Sequence, residues 1–485
     1  MSRRTAGRKQ AQHNAFFTEL LRLGMSLQRP QSAPQHLPAL MNWKKHAYLS
    51  YARLRNYRFP ALLKKYVRDY EAGLSGREAT LALGQLLRHC REMVPYYADL
   101  LSGTSAGQIT DNPWEALQKL PLLTKDTIRA NSDRLLSRDN NYRNCEVNTS
   151  GGSTGEPVKL IQDDHYRDCS SALRWFSQYM LGCDLGQMNV RLWGSERDLE
   201  HGTQSPKARF FNWLTNTTWI NAFQMTPERM RDAIDLLNRK QPRLIVAYAQ
   251  AMYELAQFAG REQIHVGVQH AVMTSAGTLY PFMREKIGST FQCPVYNLYG
   301  SREVSDIAWE LPGKKGLWVA PWTNVVEIVD EEGKIVEPGG EGNIVVTNLT
   351  NHAMPLVRYS IGDRGALSPN VGNRDGIQVL AHVSGRNVDV FRTRNQTLID
   401  GEYFTHLLYF KPWVLKFQVV QKDYEHLLFK VVSANGKPAK LELDEVAERS
   451  RLAMGSACRV DFEFVEDLSV TPSGKFRYTI SEVTA

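Results

Sequence analysis

The stretch RLIVAYAQAMYELAQFAGREQIHVGVQHAVMTSA, Arg243–Ala276, decides the fold class. Its first and last apolar runs, RLIVAY and HAVMTSA, predict strands, and AMYELAQFAG between them has the apolar spacing of a helix. The same alternation continues on both sides, with the strands NVRLWG and PVYNLYG and the helices PERMRDAIDLLNRK and PFMREKIGST. Strands that alternate with helices form a parallel sheet of βαβ units. We therefore predict an α/β fold for about residues 145–380.

The segments on either side of this α/β region have different patterns. Residues 1 to about 140 are predicted to be mostly helical, from runs such as REATLALGQLLRHCREMV. Downstream, NVVEIVD and GNIVVTNL predict strands separated by the turn signals EEGK and PGGEG. After Arg386, FKVVSANGKPAKLEL predicts strands joined at Asn435–Gly436, and DEVAERSRLAMG predicts a helix. The predicted fold is a large N-terminal α/β domain with a β-rich subdomain, followed by a small α+β C-terminal domain.

Composition and charge are typical of a globular enzyme. The 485 residues are 42% hydrophobic and 23% charged, with a diffuse net charge of +8. This diffuse excess argues against a nucleic-acid partner, which favours one concentrated basic face. No apolar run approaches the ~20 residues of a membrane span, and the basic start lacks the apolar region of a secretory signal. Six cysteines without a C-x-x-C pair favour a reducing cytoplasm.

A loop of small residues, NTSGGSTGEPVKL at Asn148–Leu160, is the first candidate binding element. It is neither a Walker loop, which needs Gly-Lys followed by Ser or Thr, nor a Rossmann G-x-G-x-x-G. Its glycines allow backbone N–H groups to approach an anion, and its hydroxyl groups add donors. Composition alone favours a plain surface turn over a phosphate loop, so the neighbouring motifs have to decide between the two.

Four further motifs follow this loop in a definite order: YNLYGSREVSD, MPLVRYSIGDRG, VSGRNVDVF and TPSGKFRY. Together with the loop, they resemble the adenylate-forming superfamily of acyl-CoA synthetases, peptide-synthetase adenylation domains and luciferases. The upstream segment CREMVPYYADLL…LPLLTKDTIR looks like the phenylacetate–CoA ligase branch. SGGSTGEP and the later GRNVDVFRTRNQTLIDGEYFTHLLYF are similar to the capsular-polysaccharide-biosynthesis-type (CapK-like) subgroup of that branch. The resemblance covers roughly residues 85–480.

The resemblance implies a reaction and a domain plan. A carboxylate would attack the α-phosphate of ATP to give acyl-AMP and pyrophosphate, with Mg²⁺ on the phosphates. A thiol, such as coenzyme A, or an amine would then displace AMP, and the sequence does not separate these two acceptors. The implied domains are a helical extension at 1–84, a large adenylation domain at 85–388, and a small mobile domain at 389–485 that carries the catalytic lysine.

The resemblance also assigns roles to single residues. The loop residues that would hold the β- and γ-phosphates are Ser150, Gly151, Gly152, Ser153, Thr154 and Gly155. Glu303 would bind Mg²⁺ and act in catalysis, and Tyr299 with Gly300 would line the adenine. Gly277 resembles a turn that packs against the adenine.

Further residues would complete the nucleotide site. Asp363 would accept the ribose hydroxyls, which suits a fixed charged acceptor. Arg386 would contact ribose or phosphate oxygens, and Asp389 would be the hinge of the small domain. Lys475, in PSGKF, would place its ammonium between the substrate carboxylate and the α-phosphate. Arg358 fits a structural role better than a ligand contact.

The acid substrate is not identified by the sequence, and neither is an oligomeric state. Aromatic residues between the loop and YGSRE either line an acid pocket or belong to the core: Trp175, Trp193, Trp219, Phe223 and Tyr248. A relative that binds nucleotide without turnover is a second hypothesis. Retention of Glu303, Asp363, Arg386 and Lys475 argues against it, and the missing Gly-Lys-Ser/Thr argues against a kinase-type P-loop enzyme.

Overall fold

A computed structural model describes most of the chain. The described residues are 42–73, 76–149, 158–193, 206–222, 225, 227–369, 377–386, 390–395, 398–408, 411, 413–433, 436–468 and 479–483. Within them, none of the helices is long and apolar enough to cross a membrane.

One large sheet organises the protein. Its eleven described strands lie in the order β10-β11-β12-β13-β9-β8-β7-β6-β5-β3-β4. Their bounds are β3 Asn189–Trp193, β4 Thr217–Asn221, β5 Leu244–Tyr248, β6 Val272–Ser275, β7 Val295–Ser301, β8 Ser305–Glu310, β9 Leu317–Val319, β10 Asn324–Val329, β11 Gly342–Asn348, β12 Tyr359–Leu367 and β13 Val379–Arg386. The strands from β4 to β7 pair in parallel, and the strands from β7 to β10 pair antiparallel. The predicted α/β region and its β-rich extension are therefore two halves of one sheet.

Helices cover the sheet because each has an apolar stripe at helical spacing. Those before the first strand are α1 Trp43–Leu54, α2 Phe59–Glu71, α3 Arg77–Met93, α4 Pro95–Leu100, α5 Ala106–Asp111, α6 Pro113–Gln118 and α7 Lys125–Ala130. Those of the βαβ region are α8 Asp164–Met180, α9 Pro206–Thr215, α10 Pro227–Lys240, α11 Ala249–Arg261 and α12 Pro281–Phe291. A separate hairpin precedes α8, formed by β1 Cys145–Thr149 and β2 Lys159–Asp163.

The first helices pack on the large sheet. Tyr48 of α1 and Tyr66 of α2 are buried in one cluster with Phe176 of α8 and Trp322. The Tyr66 and Trp322 rings stack with centroids 4.3 Å apart, a geometry that adds to the stabilisation from buried apolar area. Residues 43–71 thus share a core with the region that the resemblance assigns to the large domain, and the boundary after residue 84 stays a prediction.

A second, four-stranded sheet forms the C-terminal part in the order β18-β17-β16-β19. Its elements and their neighbours are β14 Val390–Arg392, β15 Leu398–Asp400, α13 Glu402–Leu408, β16 Val414–Asp423, β17 His426–Ser433, α14 Lys440–Met454, β18 Arg459–Phe464 and β19 Thr479–Ser481. The predicted α+β character is confirmed, but the strand predicted for AKLEL is wrong. That segment begins α14, because burial of Val446, Ala447, Ser450 and Met454 along one helical face decides its conformation.

Candidate active site

The candidate site lies where the parallel strands end, as ligand sites do in open α/β sheets. Strand β6 ends at Ser275, and Ala276 and Gly277 follow with φ values of 53° and 155°. No described atom lies within 4 Å of the position that a Cβ on Gly277 would take. The turn predicted to pack against the adenine therefore opens onto free space among the described residues.

Tyr299 and Asp363 are joined directly. The Tyr299 hydroxyl donates a 2.7 Å hydrogen bond to Oδ2 of Asp363. Tyr299 lies on β7 and Asp363 on β12, with β8, β9 and β13 between these strands in the sheet order. The curvature of the sheet thus brings together two residues that the sequence analysis assigned separately to adenine and ribose.

The backbone around Asp363 belongs to the middle of a strand. Asp363 lies inside β12 and pairs in register with Arg386 of β13. Gly362, just before it, has a φ of 91°, which favours glycine. The fold therefore brings the backbones of two predicted nucleotide residues side by side on adjacent strands, while the Arg386 side chain lies outside the described residues.

Glu303 occupies the tight connection between β7 and β8. Gly300 is required there, because a Cβ would lie 2.7 Å from the Ser305 carbonyl oxygen. The Glu303 side chain is buried, and its Oε1 lies 3.9 Å from Nζ of Lys125. Lys125 begins α7 in LTKDTIR, where the Thr124 side chain caps the helix. The sequence analysis used this motif for the resemblance but gave Lys125 no role.

The β1–β2 hairpin is tied to the Glu303 connection by two amides. Asn148 Nδ2 donates to the Arg302 carbonyl at 3.1 Å, and Gln162 Nε2 donates to the Glu303 carbonyl at 3.3 Å. Asn148 Nδ2 also donates to Gln162 Oε1 across the hairpin at 3.1 Å. The last paired residues of the hairpin are Thr149 and Lys159, so the strands that flank the SGGSTGEP segment are anchored to the Glu303 connection.

Several predicted residues fall outside the described part of the chain: Ser150, Gly151, Gly152, Ser153, Thr154, Gly155, Phe223, Asp389 and Lys475. Their roles stay predictions. The aromatic residues that could line an acid pocket or belong to the core do not all behave alike. Trp175 is a core residue packed against Tyr48, whereas the Trp193 and Tyr248 rings meet at 4.5 Å at the ends of β3 and β5.

The donor set can be compared with what ATP and magnesium require. Mg²⁺ usually takes one or two protein carboxylates and completes its shell with phosphate oxygens and water. In the described residues, no cluster of three or more His, Cys, Asp or Glu side chains could hold a metal by itself. Glu303 supplies one buried carboxylate next to the loop ends, so the donors present fit a metal shared with phosphates.

The comparisons with known proteins agree with this architecture. Residues 391–482 match the family model of the CapK C-terminal domain. Two solved structures of 2-hydroxyisobutyryl-CoA ligase share the fold. The structure in the postadenylation state with R3-HIB-AMP has a TM-score of 0.56 and 16% identity, covering 83% of this chain and 89% of that chain. The structure with 2-HIB-AMP and CoA in the thioesterification state has a TM-score of 0.54 and 15% identity, covering 84% and 89%.

The chain thus shares with these ligase structures the fold of a large α/β part followed by a small C-terminal unit. Among curated proteins, protein CapK of Staphylococcus aureus is 26% identical over 375 residues, which is 76% of this chain and 80% of CapK. The chain is thus similar to CapK over most of its length, and its C-terminal part matches the CapK C-terminal domain.

Proposed function

We propose that the protein is an ATP-dependent, AMP-forming carboxylate ligase. It activates an organic acid as acyl-adenylate, releases pyrophosphate, and transfers the acyl group to a thiol such as coenzyme A or to an amine. The observation that carries the proposal is the convergence of the Tyr299–Asp363 hydrogen bond, buried Glu303 and the loop-bearing hairpin at one edge of the sheet. Six cysteines without a disulfide among them favour action in the cytoplasm.

The nucleotide would be oriented by the Tyr299–Asp363 pair. A carboxylate that accepts hydrogen bonds from two ribose hydroxyls has to be held in one rotamer, and the Tyr299 hydroxyl does this by donating to Oδ2. Fixing the ribose fixes the α-phosphate for in-line attack, which is where positioning lowers the barrier. Asp363 would therefore bind the ribose hydroxyls, and Tyr299 would hold the Asp363 side chain in position.

The charge of the triphosphate would be balanced by Glu303-bound Mg²⁺, the loop N–H groups and Lys125. Magnesium, when bound, supplies positive charge to the departing pyrophosphate. Many members of the superfamily have a lysine just past the loop proline, whereas Val158 follows Pro157 here. Lys125 of α7, whose Nζ lies 3.9 Å from Oε1 of Glu303, supplies a positive charge beside Glu303 instead.

The adenylation step would depend on Lys475 of the small unit, whose ammonium offsets the negative charge as the carboxylate and the α-phosphate converge. Lys475→Ala is expected to reduce acid-dependent pyrophosphate release at least about 10²-fold, with ATP binding mostly retained. Lys416→Ala is the matched control, because Lys416 lies in the same unit and pairs only at the surface with Asp467.

A screen of carboxylic acids for pyrophosphate release provides the measurement, with coenzyme A and amines added afterwards. Release by the wild type and the control, but not by Lys475→Ala, supports the proposal. Equal release by the Lys475→Ala variant contradicts the role of this lysine. ATP binding without release for any acid favours the second candidate, a relative that binds nucleotide without turnover.

A further inference from the structure

Asp306 is a carboxylate that the nucleotide site does not use. It lies on β8 and pairs in register with Gly300, just beyond the Glu303 connection. Side chains on adjacent strand positions point to opposite faces. Gly300 alternates with Tyr299, so Asp306 lies on the other face of the sheet from the Tyr299 ring. That face is the one covered by α8, where Leu298 and Trp309 pack with Phe176.

The surroundings of Asp306 leave part of it without a partner. Oδ2 is buried and accepts no hydrogen bond from any described residue. A buried polar atom without a partner is rare in folded proteins and costs free energy, unless water or a ligand completes it. Burial raises the pKa of Asp306, and the positive charges of Arg174 and Arg191 oppose this shift.

The neighbours of Asp306 form a mixed polar and aromatic environment. Arg191 comes from β3 and lies over the Trp219 ring at 5.5 Å. Tyr166 of α8 is close enough to Asp306 and Glu303 for both carboxylates to raise its pKa, although burial is the larger cause. Asp306 therefore lies near Glu303, on the face opposite Tyr299. Because Asp306 and Glu303 share Tyr166 as a neighbour, the acyl part of an acid activated beside Glu303 is the candidate partner for the unpaired Oδ2.

We propose that Asp306 accepts a hydrogen bond from a donor group, a hydroxyl or an ammonium, carried by the acyl part of the acid substrate. The inference rests on the proposed ligase function and names the substrate class for it: hydroxy acids or amino acids rather than plain hydrocarbon acids. A protein group that is left unpaired by an analogue lacking the donor discriminates against that analogue more strongly than an apolar pocket does.

The experiment compares acids in matched triplets that carry a hydroxyl, an ammonium or a methyl group on the same carbon. ATP–pyrophosphate exchange is measured for the wild type, Asp306→Asn and Asp306→Leu. We expect the wild type to favour a donor-bearing acid over its methyl analogue about 10⁴-fold in kcat/KM. Asp306→Asn should reduce this preference at least tenfold, Asp306→Leu should abolish it, and the KM for ATP should stay unchanged in both variants.

Asp363→Asn is the matched control, because it removes a carboxylate from the ribose contact. It should weaken ATP use for every acid and leave the ranking of acids as in the wild type. The hydroxyl and ammonium members of each triplet separate hydroxy acids from amino acids. Equal use of the methyl acids by the wild type, or an unchanged ranking in the Asp306 variants, overturns the substrate class and leaves the ligase function intact. If no acid supports exchange although ATP binds, the ligase function and this inference fail together.

Discussion

Arg358 illustrates how a motif residue can serve the core rather than the ligand. It is buried, its Nε donates to Oε2 of Glu327 at 3.1 Å, and its Nη1 donates to the Leu120 carbonyl at 2.7 Å. The structural role favoured by the sequence analysis is the one that these contacts support. Arg358 joins β12 to β10 and to the segment before α7, and so holds the strand that carries Asp363.

Replacing Arg358 by alanine should lower the free energy of unfolding. Arg358→Ala leaves the buried Glu327 carboxylate unpaired, and breaking a buried pair in this way costs about 3–5 kcal/mol of unfolding free energy. Arg364→Ala is the control. Arg364 forms a 2.9 Å ion pair with Glu331, whose side chain is exposed, and exposed ion pairs contribute roughly 0–1 kcal/mol to the free energy of unfolding. Urea unfolding of both variants tests this. Equal losses in the two variants would refute the structural role of Arg358.

At the residue scale, the chemical role of a single residue could be proposed from its motif, whereas the contacts between residues could not. Asp363 could be proposed from RYSIGD because a motif conserves residue type and order along the chain. Its hydrogen bond with Tyr299 could not be foreseen, since it depends on how the sheet curves. Lys125 was missed for the same reason: its nearness to Glu303 arises only when α7 packs under the β7–β8 connection.

The β1–β2 hairpin flanks the segment that we propose as the phosphate loop. Exchanging Asn148 and Gln162 together for alanine removes its hydrogen bonds to the Arg302 and Glu303 carbonyls. We expect the KM for ATP to rise up to about 30-fold, since each of the two bonds contributes about 1 kcal/mol. The melting temperature should change little. Val147→Thr, at an exposed position of the same hairpin, is the control, and an unchanged KM in the double variant would argue against the anchoring role.

A histidine next to this hairpin makes stability depend on pH. The His352 backbone N–H donates to Oδ2 of Asp163, whose Oδ1 caps α8. Burial, followed by the charge of His89, lowers the pKa of His352 from 6.5 to about 4. The unfolded chain therefore binds a proton that the folded chain resists between these pH values, and stability falls as the pH decreases through that window.

The size of this effect can be measured. The lowered pKa of His352 corresponds to a loss of up to about 3 kcal/mol in the free energy of unfolding between pH 7.5 and pH 4. His352→Gln should remove much of this dependence, although nearby His89, whose pKa burial also lowers, keeps part of it. Urea unfolding at several pH values is the measurement. A pH dependence identical in the variant and the wild type would contradict the assignment.

At the element scale, periodicity identified the βαβ strands and helices because burial repeats along them. It failed for AKLEL, where Leu441 and Leu443 alternate with charged residues as in a strand. Leu441 is 80% exposed in the first turn of α14, so the alternation of apolar and charged residues there does not reflect burial on one face. The residues that decide this helix lie further along, at Val446 and Met454.

At the scale of the whole molecule, the small C-terminal unit contacts the large α/β part through side chains that are far apart in sequence. The Tyr280 and Tyr403 rings meet edge to face at 5.9 Å. Arg449 Nη1 bonds Oε1 of Glu254 at 2.9 Å, and both side chains are largely buried. The order of the domains could be predicted from the motifs, but their orientation could not, because it rests on such contacts between residues far apart in sequence.

Breaking this contact should loosen one orientation of the small unit. Arg449→Ala leaves the partly buried Glu254 and Glu445 carboxylates without their shared partner. We expect a broader distribution of distances between labels on the two parts, measured by single-molecule energy transfer, and a loss of roughly 1–3 kcal/mol in stability. Lys416→Ala, at an exposed pair within the small unit, should change neither. An unaltered distribution in Arg449→Ala would show that the ion pair does not set the orientation.

The central claim is that the acid attacks the α-phosphate of ATP. It is tested most directly with an acid labelled with ¹⁸O in its carboxylate, chosen from the exchange experiments, together with ATP and an acceptor. Because the bridging oxygen of acyl-AMP comes from the acid, its displacement by the acceptor leaves one ¹⁸O in AMP. Attack on the α-phosphate should give labelled AMP and unlabelled pyrophosphate, which mass spectrometry detects. ADP with labelled phosphate, or AMP without label, would contradict it.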